Sequence, residues 1–454
     1  MATLSSSPPT PLELAGEIAS NLPLIKINEE LFHLHPYSHY YRQASNDFLE
    51  KFILDFITKP ENEDNLKYIS KRYIKETLYF LSHMNYPLCE PAEYSGWLGF
   101  RNGAVNIFSR EFIGYTPENL QRYPPITYAL DVCYYPNYNI YSSGSATPVT
   151  DKFFSRIAGN NYFLLNRLWE MLGYILTPDI NAKVFFVLQG VPNSGKSVLG
   201  RFVEQFFPRE KVSSLDINRL GGQFLPKELV QSCLNSSMDL PDGQLSSNAI
   251  AMIKMMTGND RITQEAKYKN PSFVYSHCKL LFSTNHSLSL KKYDPAFLDR
   301  IICIPFKTAI PKTDADRNLL YNLCTEKEAV VNKALSYYWC LQNRNYEFSG
   351  GPIFPEIEYR LEPNEVIREF VAECCILNDE GKTYTHELYE AYKKFCIKKG
   401  FRSVPEQGFG QRLSKVCDGK IEHSKWRTGG NPENGWLRIT LIKYKEHSVK
   451  HMTI

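Results

Sequence analysis

The segment from Gly190 to Ser197, GVPNSGKS, has the spacing of a phosphate-binding loop, with a Gly-Lys-Ser triplet four residues after its first glycine. Glycines allow main-chain N–H groups to surround phosphate oxygens, and a helix that begins at the loop points its positive end at them. We expect Lys196 to reach the outer phosphates of a nucleotide and Ser197 to hold Mg²⁺ through its hydroxyl. The other residues of this predicted nucleotide site are Gly190, Val191, Pro192, Asn193, Ser194 and Gly195.

Two aspartates downstream could complete a hydrolytic site. Hydrolysis needs an acid at the end of a neighbouring strand, where it holds the Mg²⁺ water and orients the attacking water. Asp239 and Asp242 in CLNSSMDLPDG are the candidates, and Asp239 is also a candidate metal ligand. The residues before Asp239 are less apolar than a typical buried strand, so the pattern also allows Asp242-Gly243 to be a simple turn.

Asn285 and Arg300 each adjoin an apolar run. Asn285 ends HCKLLFSTN, at the carboxyl end of a predicted strand where ligands bind in such sheets. It could bond the γ-phosphate or the attacking water, or it could cap the strand. Arg300 precedes IICIPF. It could form an ordinary ion pair, or act as an arginine finger that a neighbouring subunit supplies for phosphoryl transfer.

The segment TGNDRITQEAKYKNPSFVY predicts a hairpin, in which ITQEA and SFVYS pair around KYKN. Lys267, Tyr268 and Lys269 would then lie at or near its tip. A projecting basic hairpin with an aromatic residue could grip a DNA backbone and a base. An exposed charged turn without function is the alternative.

The elements that position these residues follow from hydrophobic periodicity. VFFVLQG (184–190) is a continuous apolar run of the kind found in parallel sheets, which indicates an α/β core. RLWEMLGYIL before it predicts an amphipathic helix, as do the segments 48–57 and 73–84. WLGFRNGAVNIFS (97–109) alternates around Asn102-Gly103 and predicts a β-hairpin.

Composition shifts divide the chain into four parts. We expect a flexible tail (1–12), an α-rich N-terminal domain (13–150), a central ATPase domain (151–345) and a C-terminal domain (356–454). In the last part the helical patterns EVIREFVAECCIL, HELYEAYKKFCIKK and QGFGQRLSKVC precede a two-stranded ribbon, which suggests a winged helix.

The C-terminal domain is basic. From Gly381 to Ile454 there are 15 Lys and Arg against 7 Asp and Glu, a net charge of +8 in a chain whose total is +3. Such a module is the electrostatic footprint of nucleic-acid binding, although a solvated basic face is the alternative. The candidate contacts are Arg412, Lys415, Lys425 and Arg427.

Composition also excludes several classes of protein. With 43% hydrophobic and 13% aromatic residues in 454, the chain can form folded cores and is not disordered. We find no leader peptide and no apolar run of the roughly 18 residues that a membrane helix needs. The eleven cysteines contain no C-x-x-C pair, so we expect reduced thiols and a soluble, cytoplasmic protein without a membrane partner.

In their order along the chain, GVPNSGKS, DLPDG, TGNDRITQEAKYKNP, LLFSTN and AFLDRIICIPF resemble the motif series of superfamily three helicases. The likeness is to the helicase part of phage and plasmid primase-helicases, the group related to poxvirus primase-helicases. RNGAVNI and WEMLGYIL are similar to that family's helicase-associated N-terminal domain, and the basic C-terminal segment resembles its winged helix. Together these segments cover most of the chain from about residue 40 onward.

The resemblance implies an AAA+-like P-loop ring motor, usually a homo-hexamer, that hydrolyses ATP with Mg²⁺ to translocate on single-stranded DNA and open forks. Family members typically move 3′ to 5′. By position, Lys196 and Ser197 match the Walker A residues, Asp239 and Asp242 the Walker B acids, Asn285 the sensor and Arg300 the finger.

Two departures from the family pattern leave roles open. The family often has Arg-Lys where this chain has Ala266-Lys267, so the basic residue that contacts DNA is not fixed. Both acids here are Asp where the family often has Glu, so the water-polarising residue is not fixed either. The first 150 residues contain no paired carboxylate motif and no zinc-type cysteine set. We therefore expect no primer synthesis by this chain, and a primase or polymerase that acts in trans.

Two other functions share the phosphate loop. An origin-binding assembly factor would use ATP to set ring formation, without significant unwinding. A small-molecule kinase would leave the basic hairpin and the C-terminal charge unexplained, so we rank it last.

Overall fold

The computed structural model describes residues 9–27, 30–35, 40–59, 70–136, 146–222, 227–240, 242–264, 272–291, 293–353, 355–359, 363–399, 401, 403–427 and 432–442. The chain divides into two compact units. The first comprises Met1–Pro241, Asn248–His286 and Ala296–Pro355, and the second comprises Asp242–Ser247, Ser287–Pro295 and Glu356–Ile454. The expected boundary at residue 150 lies inside the first unit and stays a prediction.

Within the residues that the structure describes, the N-terminal part of the first unit contains three α-helices and two small antiparallel sheets. Its elements are α1 (Pro11–Asn21), β1 (Leu24–Ile27), β2 (Glu30–Leu34), β3 (Tyr41–Gln43), α2 (Asn46–Ile57), α3 (Lys71–His83), β4 (Trp97–Gly99), β5 (Gly103–Asn106) and β6 (Phe112–Gly114). The helices expected at 48–57 and 73–84 are confirmed as α2 and α3, and the hairpin expected over 97–109 as β4 and β5. A capping box between Thr10 and Glu13 starts α1, so the helix begins inside the segment expected to be a tail.

A five-stranded parallel sheet forms the centre of the first unit. The elements that follow along the chain are α4 (Pro148–Ala158), α5 (Tyr162–Leu176), β7 (Phe185–Gly190), α6 (Lys196–Glu204), β8 (Val212–Ser213), α7 (Lys227–Gln231), β9 (Leu234–Ser237), α8 (Ser247–Gly258), β10 (Ile262–Gln264), β11 (Ser272–Val274), β12 (Lys279–Thr284), β13 (Leu288–Leu290), α9 (Pro295–Leu298), β14 (Ile301–Phe306), α10 (Leu319–Thr325) and α11 (Lys327–Asn343). The sheet order is β14-β7-β12-β9-β8, and every neighbouring pair is parallel. The α/β class expected from the apolar run is confirmed.

The middle strands of this sheet are buried, as the continuous apolar runs indicate. Every residue of β12 is buried, and so are all residues of β7 except Gly190. Strand β9 is buried although its sequence is LNSS. Asn235 makes this possible, because its amide bonds both the N–H and the C=O of Leu215 and accepts from the Ser213 hydroxyl.

The second unit carries a three-stranded antiparallel sheet. Its remaining elements are β15 (Ile357–Tyr359), α12 (Pro363–Cys374), β16 (Cys375–Tyr384), α13 (Thr385–Lys399), α14 (Glu406–Val416), β17 (Glu422–Trp426) and β18 (Glu433–Leu441). The sheet order is β16-β18-β17, which confirms the expected ribbon and adds a third strand. The expectation that EVIREFVAECCIL is helical throughout is wrong at its end. The helix stops at Cys374, because Cys375 and the residues after it pair with β18 and bury Cys375 against the core.

The cysteines and helices agree with the composition. All eleven cysteines are free thiols. In the described part of the chain, no helix is long and apolar enough to cross a membrane.

Candidate active site

The loop after β7 is shaped by glycine and by contacts with the segment after β14. Gly190 has φ +149° and Asn193 has φ +56°, both outside the range that most residues adopt. Space also requires glycine at 190, because a Cβ would lie 2.0 Å from the carbonyl oxygen of Phe306. Val191 N–H donates to Phe306 O (3.1 Å) and Ile310 N–H donates to Asn193 O (2.8 Å). The loop is therefore fixed at the carboxyl edge of the sheet.

Lys196, the first residue of α6, is 6% exposed and points into the loop. Its Nζ donates to Gly190 O (2.8 Å), Val191 O (2.7 Å) and Ser194 Oγ (3.2 Å). Burial lowers the pKa of Lys196, and the carboxylate of Asp239 opposes this shift. Burial takes the Lys196 ammonium out of water, and an anionic group bound in the loop would replace the favourable interactions that it loses there.

The start of α6 adds the other parts of an anion and metal site. Gly195 is the N-cap residue, with φ +100°, and Ser197 lies exposed in the first turn. The free N–H groups and the dipole of this helix end favour phosphate. The Ser197 hydroxyl and the Asp239 carboxylate are oxygen donors of the kind that Mg²⁺ prefers, so the residues present fit a nucleotide with its magnesium ion.

The parallel register brings Asp239 and Asn285 to the same edge of the sheet as the loop. Strand β12 lies between β7 and β9. Its last residue, Thr284, pairs with Gln189, so Asn285 lies beside the start of the loop. On the other side of β12, β9 ends at Ser237, two residues before Asp239. Asp239 and Asn285 are both exposed there.

Gln189 joins the loop strand to the turn that carries Asn285. Its Nε2 donates to the main-chain oxygen of His286 (3.0 Å), while Thr284 Oγ1 accepts from His286 N–H (3.0 Å). Gln189 is 7% exposed. Sequence reasoning missed this residue, and the only signal for it is one polar side chain inside the apolar run VFFVLQG.

A small pocket, open to solvent, lies between α4, the loop and the segment after β14. It is lined by Phe153, Arg156, Ile157, Ser194, Phe306, Lys307, Thr308 and Ile310. Its exposed basic residues, Arg156 and Lys307, place positive charge beside the loop. The sequence did not indicate this pocket, because its walls come from three separate segments.

Arg300 lies at the opposite edge of the sheet. Its carbonyl accepts a hydrogen bond from Phe185 N–H (2.8 Å) at the start of β7, whereas the loop begins at Gly190 at the end of that strand. At about 3.3 Å per residue these edges are about 17 Å apart. The guanidinium bonds Thr257 Oγ1 (3.1 Å) and the carbonyl of Ala296. One chain therefore does not bring Arg300 to its own loop.

The remaining candidates of the central region are Asp242 and the hairpin tip. Asp242 is exposed and is grouped with the second unit. Strands β10 and β11 pair antiparallel, which confirms the expected hairpin. Its tip, with Lys267, Tyr268 and Lys269, lies outside the described residues.

The four basic candidates of the C-terminal domain lie in the second unit. Arg412 of α14 is half-buried, and its guanidinium donates to the side-chain oxygen of Asn364 (3.1 Å). Lys415, Lys425 and Arg427 are exposed. Arg412 is therefore tied to α12, while the other three present their charge to solvent.

Two protein families match parts of this chain. Residues 188–300 match a family described as a family of unknown function (DUF5906), and residues 362–445 match a family described as Poxvirus D5 protein-like. The first match spans the loop, Asp239 and Asn285 and ends at Arg300. The second covers most of the second unit's main segment.

Solved structures resemble this chain only distantly. The apo structure of the NrS-1 C terminal region (305-718) is 11% identical with a TM-score of 0.46, and the match covers 96% of this chain and 100% of that one. An A form apo structure of the same NrS-1 region is 10% identical with a TM-score of 0.46, covering 95% and 100%. Likeness at this level carries no argument about function.

Proposed function

We propose that this protein is an ATP-dependent DNA helicase of the superfamily three type, a ring motor that translocates on single-stranded DNA of a phage, plasmid or other mobile element. One observation carries the proposal: within one chain, the residues of a hydrolytic site lie at two opposite edges of the sheet. Lys196, Asp239 and Asn285 share one edge of the sheet, and Arg300 lies about 17 Å away at the other.

The carboxyl edge of the sheet is the nucleotide site in this proposal. The loop N–H groups and Lys196 bind the phosphates of ATP. Ser197 and Asp239 hold Mg²⁺, which supplies charge neutralisation to the transferred phosphoryl group. Asn285 bonds the γ-phosphate or the attacking water. Asp239 or Asp242 polarises that water.

The position of Arg300 supports assembly into a ring. An arginine finger must contact the phosphates, and the sheet separates Arg300 from its own loop. A neighbouring copy in a closed ring can present this edge to the loop, so that each site uses residues of two subunits. A homo-hexamer is the assembly that the sequence resemblance implies.

Contacts with DNA are assigned to the hairpin and to the second unit. Strands β10 and β11 would hold Lys267, Tyr268 and Lys269 for the translocating strand. Three helices and a three-stranded antiparallel sheet are the elements of a winged helix. The match of residues 362–445 to the Poxvirus D5 protein-like family and the net charge of +8 from residue 381 onward support a replication role for this unit.

An ATP-switched origin-binding factor is the second candidate. The same winged-helix elements favour it, because such domains bind duplex DNA. In that case ATP binding would drive assembly on DNA, and hydrolysis would not separate strands.

Strand displacement tests the proposal. We expect the purified protein to release an annealed labelled strand from a forked substrate with ATP and Mg²⁺, and not with a non-hydrolysable ATP analogue. Lys196→Ala should lose the activity, whereas Arg201→Ala, an exposed change on the same helix, should keep it. DNA binding that requires ATP without any strand release would favour the assembly factor instead.

A further inference from the structure

Three planar side chains form a stack in the second unit. The rings of Trp426 and Tyr384 have centroids 5.0 Å apart and planes 27° apart, and those of Tyr384 and His386 are 5.6 Å and 21° apart. Trp426 and Tyr384 are half-buried, and the His386 side chain is 60% exposed. We call these three residues the aromatic stack.

The strand register places the stack on the face of the sheet opposite the core. Thr383 pairs with Trp436, and both are buried in the core. Side chains alternate along strands, so the next pair, Tyr384 with Gly435, faces the other way. Gly435 makes the stack possible, because a Cβ there would lie 2.1 Å from the Trp426 ring. The indole thus crosses β18 from β17 to reach the tyrosine on β16.

We propose that the aromatic stack binds an unpaired base of single-stranded DNA, which continues the stack on an exposed ring. Every base has a π-face, so stacking on aromatic side chains is strong and tolerant of sequence. Bases inside a duplex are already stacked on their neighbours and are not accessible to such a site. The stack would therefore select single-stranded over duplex DNA.

The net charge of this part of the chain favours a phosphate-bearing ligand. Lys382 lies on the same face of β16 as the tyrosine, whereas Lys425 and Arg427 adjoin the tryptophan along the chain and point to the other face. All three are exposed. Three acids lie near the stack as well. Glu433 is 3.5 Å from the histidine of the stack, Glu387 Oε2 accepts a hydrogen bond from the tyrosine N–H (3.3 Å), and Glu422 lies further along β17. Over residues 381–454 the net charge is +8, which favours nucleic acid over an uncharged or acidic peptide.

The aromatic stack would let the proposed helicase distinguish single-stranded from duplex DNA. Phosphate contacts alone attract single and double strands alike and carry no information about pairing. The inference rests on the proposed DNA-binding role of the second unit, but it does not depend on ATP hydrolysis.

The test compares a labelled single strand with a duplex of the same sequence, bound by the full-length protein without nucleotide at one fixed salt concentration. Trp426→Leu should weaken single-strand binding by roughly tenfold and leave duplex binding unchanged. Trp426→Phe, which keeps a stacking ring, should retain most of the single-strand affinity. Lys425→Ala is the matched control, and it should weaken both DNAs by a similar factor.

Tryptophan fluorescence of the parent protein reports on DNA binding to the stack without a substitution that could destabilise the fold. Trp97, Trp169 and Trp436 are buried, and half-buried Trp339 lies in the first unit with Arg110 over its ring. The quenching by a single strand that Trp426→Phe removes is therefore the part due to the stack, and we expect it to be most of the quenching. If single-stranded DNA leaves the emission unchanged, and Trp426→Leu binds it as tightly as the parent does, the stack does not bind a base. That outcome would leave the proposed function standing. Failure of the parent to bind either DNA would overturn both the stack and the proposed function.

Discussion

The side chain of Gln189 donates a 3.0 Å hydrogen bond to the main-chain oxygen of His286, and this bond joins strand β7 to the turn that carries Asn285. We expect Gln189→Leu to lower the rate of ATP hydrolysis by up to about a hundredfold, because displacing a group that acts in catalysis by 1 Å can cost this much and Asn285 has such a role in the proposal. Nucleotide affinity should change little, since the loop itself is held by Phe306 and Ile310. Steady-state kcat and the affinity for a fluorescent ATP analogue measure the two effects separately.

Gln205→Leu is the control for that change, because Gln205 is an exposed residue at the end of α6. It should leave both quantities unaltered. A Gln189→Leu protein with the kcat of the parent would show that this bond does not position Asn285 for catalysis.

The separation of Arg300 from Lys196 within one chain predicts complementation between two inactive variants. Lys196→Ala should lose ATP binding and hydrolysis. Arg300→Ala should bind ATP but hydrolyse it about a thousandfold more slowly, as for other removed fingers. Mixing the two should restore part of the rate, because some interfaces then combine an intact loop from one subunit with an intact Arg300 from its neighbour.

Hydrolysis after mixing is the measurement for this prediction, with each variant alone at the same total concentration as its control. Arg201→Ala mixed with Lys196→Ala controls for simple dilution of active subunits. If the mixture is no more active than the better of its two components, each site is completed within one chain and the ring mechanism is wrong.

Lys279 predicts a pH dependence of folding stability. It is 4% exposed, contacts the Asp179 carbonyl and lies with its Nζ 3.9 Å from the centroid of the Tyr174 ring. Burial lowers the pKa of Lys279 to about 7 from its ordinary 10.5, and Asp179 opposes the shift. Between these values the unfolded chain binds more protons than the folded one, so the free energy of unfolding rises as the pH increases from about 7.

The slope contributed by this lysine is at most about 1.4 kcal/mol per pH unit. Urea unfolding of the parent and of Lys279→Met between about pH 7 and pH 9 measures it. The parent should gain stability relative to the variant across this range. Lys152→Met, an exposed change on α4, should follow the parent. Identical slopes for the parent and Lys279→Met would mean that the buried amine keeps an ordinary pKa.

The sequence of a segment was enough to predict its structure where its residues suit the surroundings in which the fold places them. Strand β7 and the loop after it could be predicted, because an apolar run needs burial and the glycines at 190 and 195 adopt positive φ. Strand β12 and Asn285, the residue after its end, follow in the same way. The pairing of β10 with β11 was also predictable, since turn-forming residues separate two alternating segments.

Features that depend on distant partners could not be predicted. The buried polar strand β9 exists because Asn235 finds the main chain of Leu215, and nothing in LNSS indicates that partner. The end of α12 is invisible in EVIREFVAECCIL, because the apolar residues continue past Cys374 into a strand that only β18 specifies. Gln189 and its bond to His286 were missed for the same reason.

In the proposed motor, hydrolysis at the loop after β7 is coupled to DNA. The most direct test is the rate of ATP hydrolysis by the full-length protein with and without single-stranded DNA, measured beside Lys196→Ala. DNA should raise the rate severalfold or more, and Lys196→Ala should abolish both the basal and the stimulated rates. Hydrolysis that depends on Lys196 but is indifferent to single-stranded DNA would contradict a translocating motor.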